Sequence, residues 1–187
     1  MADSDRKRPW KVLRSTYAIA DEWLRLRTLP TGPVIEHPDW VDVIALTAGL
    51  DIVLVDQYRH SVRSVRTEFP AGTVDEGEEP LAAIQRELLE ETGYASDEWH
   101  LLGTAPVYPP MQTNRIYSFL ALNARRIGGQ ALDEGEVIHA YELPFTEFID
   151  KVQSGAIELP ALQLAGLWWL QARLTGRGVP GISIPFP

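Results

Sequence analysis

Residues 72–94 read GTVDEGEEPLAAIQRELLEETGY, a glycine-rich acidic loop running into an amphipathic segment that ends on glycine. Pro80, directly after Glu78-Glu79, marks a helix start, because its missing N–H falls where no intrahelical partner exists. Leu81, Ile84 and Leu88, with Leu89 beside them, repeat at helical spacing and predict one face packed on a sheet. Gly93 supplies a left-handed stop. The last turn is unusual. Glu87, Glu90 and Glu91 stand at i, i+3 and i+4, so three carboxylates project into one volume at the end where the helix dipole disfavours anions. Each unfavourable contribution is on the order of 0.3–1 kcal/mol, and Arg86 offsets part of it. Two readings fit: a solvated acidic face, or a platform for a hard divalent cation held by oxygen ligands, for which magnesium is the best match.

The composition limits what such a platform could serve. The chain has 187 residues, 45% of them hydrophobic, enough for one sizeable globular domain. It has no cysteine, which removes disulfides, thiolate nucleophiles and zinc–thiolate sites. The formal charge of −9 argues against a nucleic-acid partner, and a phosphate substrate would need a recruited cation. Neither a membrane-spanning run nor a secretory leader is visible, so the expected location is the cytoplasm. Arg6-Lys7-Arg8 reads as part of a mobile terminus over residues 1–9.

Outward from the helix, Val41–Thr47 and Ile52–Val55 alternate as two strands of a tight hairpin. Lys11–Tyr17 and Trp23–Arg27 predict short strands, with Thr31-Gly32-Pro33 as a turn. Residues 100–107, Arg115–Asn123 and Glu136–Leu143 predict further strands. Helices are expected over Phe145–Gln153 and Pro160–Leu174, and an extended tail over residues 177–187. Interleaved strands and helices without a βαβ rhythm predict an α/β fold with a mixed sheet. Gly-x-Gly-x-x-Gly and Walker-type loops are absent from the sequence.

Gly72, five residues, Glu78, seven residues, then Arg86-Glu87-Leu88-Leu89-Glu90-Glu91-Thr92-Gly93-Tyr94 matches the Nudix signature at its specified positions, Tyr94 replacing the usual aliphatic residue. The chain therefore resembles the Nudix hydrolases. The flanking Gln57-Tyr58-Arg59, Glu68-Phe69-Pro70-Ala71-Gly72, Pro109-Pro110 and Asp133–Ile138 resemble the ADP-ribose and nucleoside-diphosphate-sugar pyrophosphatase branch. The resemblance implies an α/β/α sandwich with a mixed sheet over residues 41–176, preceded by short N-terminal strands in residues 10–40 that serve dimerisation or segment swapping in a homodimer. It implies Mg2+, with Mn2+ as a substitute, held by Glu87, Glu90, Glu91 and the backbone carbonyl of Ala71. Arg86 is then expected to orient a carboxylate, and Glu78 to brace the loop.

Substrate and base assignments rest on the same resemblance. Arg59 is the candidate diphosphate clamp, its planar fork suiting phosphate oxygens; a surface ion pair is the alternative. Trp23 and Trp40 fall where relatives stack the nucleobase, though either could serve in packing. Met111 could line the pocket or cap the sheet. The general base is expected at Glu136, with Glu134 second and a helix carboxylate such as Glu90 third; alternatively the acidic run only solvates a turn. The implied reaction hydrolyses the diphosphate of ADP-ribose or a nucleoside-diphosphate sugar to a nucleoside monophosphate and a sugar phosphate. The alternatives are another Nudix substrate (a dinucleoside polyphosphate, NADH or a nucleoside triphosphate) and a nucleotide-sugar sensor without turnover.

Overall fold

A computed structural model of the protein describes residues 16–20, 25–29, 32–132 and 136–176. The basic cluster at Arg6, the start of the strand expected from Lys11, Trp23, Glu134 and the tail from residue 177 lie outside the described residues. The chain divides into two compact units, residues 1–38 with 106–114, and residues 39–105 with 115–187.

The first unit carries three antiparallel strands, β1 (Thr16–Ala20), β2 (Arg25–Leu29) and β3 (Gly32–Glu36), in that order across the sheet. β2 and β3 pair from Leu29↔Gly32 out to Arg25↔Glu36. Gly32 and Pro33, expected in a turn, are thus strand residues. Pro33 is tolerated because β3 is an edge strand, where a missing N–H costs little. Residues 106–114 join this unit through a parallel bridge between Ile35 and Gln112.

The second unit is a mixed sheet between helices. Its strands are β4 (Trp40–Thr47), β5 (Asp51–Arg59), β6 (Ser64–Glu68), β7 (Ala71–Thr73), β8 (Tyr94–Ala95), β9 (Glu98–Pro106), β10 (Arg115–Arg126) and β11 (Ile138–Pro144); its helices are α1 (Pro80–Thr92), α2 (Phe145–Gln153) and α3 (Ala161–Gly176). The central order is β11-β5-β4-β10-β8, with β6 on β5, β7 on β4 and β9 on β10. β4 runs antiparallel to β5 and parallel to β10.

The period of two along β4 sorts its side chains between two cores. Val41, Val43 and Ala45 meet Ala83, Ile84 and Leu88 of α1. Ile44 and Leu46 face the other way, into a core with Phe145, Phe148 and Ile149 of α2 and Leu167 and Leu170 of α3. The result is the expected α/β/α sandwich. Burying a side chain such as Leu88 contributes about 1.5–3 kcal/mol. The apolar stripe of α1 is narrower than the spacing predicts. Leu81 and Leu89, at its flanks, remain exposed, while Ala83, Ile84 and Leu88 are buried.

α1 begins on Glu79, which has extended backbone but no side-chain cap, and ends on Gly93 at φ 76°, whose N–H donates to the Leu89 carbonyl at 2.8 Å. The strands β6 and β7 have no counterpart in the sequence reading. β6 folds back on β5 from Arg59↔Ser64 to Val55↔Glu68, and β7 lies against the start of β4.

Candidate active site

Two local structures meet at the last turns of α1. One is the short strand β7, held on β4 through Asp42↔Ala71, Val41↔Gly72 and Trp40↔Thr73. Just before it, Gln163 of α3 grips Phe69 by accepting from its N–H at 2.8 Å and donating to its carbonyl at 3.1 Å. The other is the acidic turn of α1. The Ala71 N–H donates to the Glu91 carboxylate at 3.1 Å. Gly72 leaves room for Glu87, since a Cβ there would stand 2.1 Å from the Glu87 carboxyl carbon. Glycine is required here by close approach rather than by backbone conformation.

Arg86 ties the loop to the helix. Its guanidinium donates to Glu78 at 3.2 and 3.1 Å, to the Thr73 carbonyl at 3.2 Å, to Glu87 at 2.9 Å and to Glu90 at 3.1 Å. Glu78 also accepts the Asp75 N–H at 3.1 Å. Arg86 thus orients carboxylates and Glu78 closes the loop. The guanidinium holds the Glu78 carboxyl below the usual range.

The helix carboxylates differ in setting. Burial pushes Glu91 up to about 8; the Ala71 N–H pulls it back, while the charges of Glu87 and Glu136 add to the rise. Burial likewise pushes Glu87 up to about 7, opposed by Arg86 and reinforced by Glu90 and Glu136. These are negative charges held where water solvates them poorly, the setting that a cation stabilises. Among the described residues no group of three or more Asp, Glu or His side chains is placed to hold a metal ion as it stands. Glu87 and Glu90 share Arg86, and Glu91 takes the Ala71 N–H.

Glu136 is exposed, and its charge acts on Glu87, Glu91 and Arg59 together. The Gln130 amide, which donates to both the Glu91 and the Ile138 carbonyls, ties the start of β11 to the acidic turn. Arg59, the last residue of β5, makes a two-pronged pair with Glu68 at 2.9 and 2.6 Å. Glu68 is buried and Arg59 is part-exposed. Trp40 opens β4 and is half-buried between Thr73 and Ile116 in register. Met111 belongs to the other unit, where its carbonyl accepts the Ile35 N–H at 2.7 Å. Glu68, Gln163 and Gln130 carry site geometry that sequence spacing did not mark. Their partners lie 8 to 94 residues away, so no local pattern encodes them.

The fold and this turn have counterparts. Residues 36–162 match the NUDIX domain. The chain belongs to the Nudix family. This Nudix chain is 32% identical over 135 residues to the methanol dehydrogenase activator of Bacillus methanolicus, covering 69% of this chain and 73% of that protein. It is 30% identical over 132 residues to the ADP-ribose pyrophosphatase of Bacillus subtilis, covering 67% of this chain and 71% of the relative. A crystal structure of an ADP compounds hydrolase superposes with a TM-score of 0.73 over 90% of this chain and 95% of that one, at 18% identity, which speaks for the shared fold. As a Nudix hydrolase the protein is an enzyme, and the residues around α1 fit a divalent cation. Glu87, Glu90 and Glu91 offer oxygen donors on one turn, and burial leaves Glu87 and Glu91 poorly solvated.

Proposed function

We propose that the protein hydrolyses the diphosphate of ADP-ribose or a related nucleoside-diphosphate sugar with Mg2+, or Mn2+ in its place. The grouping of Glu87, Glu91, Glu136 and Arg59 at one end of α1 supports this reading. Glu87, Glu90, Glu91 and the Ala71 carbonyl are assigned to the cation, which when bound spreads the negative charge that grows on the phosphate oxygens. Glu136 is assigned as the base that takes a proton from the attacking water as its oxygen bonds to phosphorus and the bridging P–O bond breaks. Glu134 stands second for that role, and Glu90 third. Arg59, already oriented by Glu68, is assigned to the diphosphate. From the resemblance alone, Trp23 and Trp40 are assigned to the nucleobase, and Met111 to substrate binding. For ADP-ribose the products are AMP and ribose 5-phosphate. The cytoplasm is the proposed location; among the described residues no helix is long and apolar enough to cross a membrane.

The pure protein is to be incubated with Mg2+ and, separately, ADP-ribose, GDP-mannose, ADP-glucose, NADH and nucleoside triphosphates. Monophosphate release from a diphosphate sugar is the expected result. Release of pyrophosphate from triphosphates instead would sink the sugar reading, and turnover of none would favour the sensor. Glu91→Gln is expected to abolish Mg2+-dependent turnover with stability kept or raised, since it relieves repulsion from the neighbouring carboxylates. Glu136→Gln is expected to lower kcat far more than KM.

A further inference from the structure

An α-helix leaves its last carbonyls without intrahelical donors. In α1 these groups are satisfied largely from one distant stretch. The Glu90 carbonyl accepts the Ala131 N–H at 2.8 Å, and the Gly93 carbonyl accepts the N–H groups of Ile127 and Gly128 at 2.9 and 3.2 Å. The Glu91 carbonyl accepts the side-chain Nε2 of Gln130 at 2.6 Å. All these donors lie in residues 127–131, between β10 and Glu136. Residues 127–131, which precede the proposed base in the chain, are thus built onto the end of the acidic helix.

Gln130 also reaches the other end of that segment. Its Nε2 donates to the Ile138 carbonyl at 3.0 Å. Ile138 is the first residue of β11, two positions past Glu136, and is held in the sheet opposite Gln57. One amide nitrogen therefore bridges the main chain of Glu91 and the anchor beside Glu136. Both partners are acceptors, so an amide nitrogen with two N–H groups satisfies them and an oxygen there would be repelled.

We propose that Gln130 is a positioning residue that holds Glu136 against the acidic end of α1. This rests on the assignment of Glu136 as the base. Ile138, two residues past Glu136, is tied to the end of α1 by a bond that spans eight residues of chain. A base displaced by about 1 Å can lose on the order of a hundredfold in rate. Gln130→Met keeps the length and volume of the side chain and removes both donors.

The expected result for Gln130→Met is a fall in kcat of about 10- to 100-fold at saturating Mg2+, with KM changed less than about twofold. In the metal-free protein, amide exchange at Glu136 and Val137 is expected to accelerate, while exchange at Ile84 and Leu88 stays as in the parent. In a Glu136→Gln background the same substitution is expected to add little further loss, the signature of two residues acting through one step. Gln130→Asn, which withdraws the amide by one methylene, is expected to reproduce these effects and serves if the Met variant fails to fold. Unchanged kcat and exchange would overturn the proposal, as would fully additive losses in the double variant, which would leave Gln130 a helix cap alone. If Glu136→Gln by itself leaves kcat intact, the base assignment fails, and exchange at Glu136 and Val137 decides whether the bridge orders this segment.

Discussion

At Gly72 the missing side chain is occupied by the Glu87 carboxylate, with a Cβ position 2.1 Å from its atoms. The obstructing group is the end of a flexible side chain, so Gly72→Ala is expected to leave the melting temperature nearly unchanged while reducing Mg2+-dependent turnover at least about tenfold. Parallel melting and kinetics check this; retained turnover would free Glu87 from its role. Gly93 behaves differently. It stands at φ 76°, and a Cβ there would meet the Gly128 carbonyl oxygen at 2.4 Å. Gly93→Ala is expected to cost more than about 1–2 kcal/mol in denaturant titration, since left-handed backbone alone costs about that much. Asp42 sets a third, pH-dependent effect. It is buried on the α3 side of β4, its carboxylate oxygens without a hydrogen-bond partner among the described residues. Burial pushes it up to about 7, with the Ser118 hydroxyl alongside drawing it back only in part. Because the folded value lies above the unfolded 3.8, the protonated group's contribution is complete below about pH 4 and is lost as pH rises through about 7. Asp42→Asn is expected to match the parent near pH 4 and to exceed it by roughly 2–4 kcal/mol at pH 8. A stability difference that does not grow with pH would remove the assignment.

Among the elements, α1 was readable end to end because its signals are local. Pro80 opens it, Ile84 and Leu88 face the core, and Gly93 closes it. The flanks deceived, since Leu81 and Leu89 fit the helical spacing yet stay exposed; sequence shows the stripe, but the curvature and width of the facing sheet decide where it ends. β6 and β7 went unread for a related reason. Ser64–Glu68 has little apolar alternation, and it is a strand because β5 supplies its hydrogen-bond partners from Val55 to Arg59. That pairing sets Glu68 beside Arg59, supplying the ion-pair partner that the sequence reading allowed for but left unnamed.

For the whole sandwich, the two cores are separated by the sheet. Leu88 belongs to the α1 side and Phe148 to the α2–α3 side. Leu88→Ala is expected to cost about 2–5 kcal/mol and Phe148→Ala about 3–5 kcal/mol. Without shared packing partners the two losses are expected to add within about 0.5 kcal/mol in the double variant, if unfolding remains two-state. Strong non-additivity would show that the sheet transmits strain between its faces. The homodimer, with residues 10–40 contributing, is a proposal at this scale; analytical sedimentation is expected to give twice the chain mass of 20.9 kDa, and a monomer would remove it.

The sequence by itself determined the acidic helix, its boundaries and the shared face of Glu87, Glu90 and Glu91, because i, i+3 and i+4 positions lie on one side of a helix whatever surrounds them. It also pointed to a mixed sheet, through strands and helices interleaved without a βαβ rhythm around one tight hairpin. Tertiary structure alone decided what stands opposite those carboxylates. Gly72 beside Glu87, Ala71 on Glu91, Glu68 on Arg59 and Gln130 between Glu91 and Ile138 are contacts between chain segments brought together by strand register and helix packing. No short-range periodicity carries that information, since each such contact forms only once the sheet has fixed both partners.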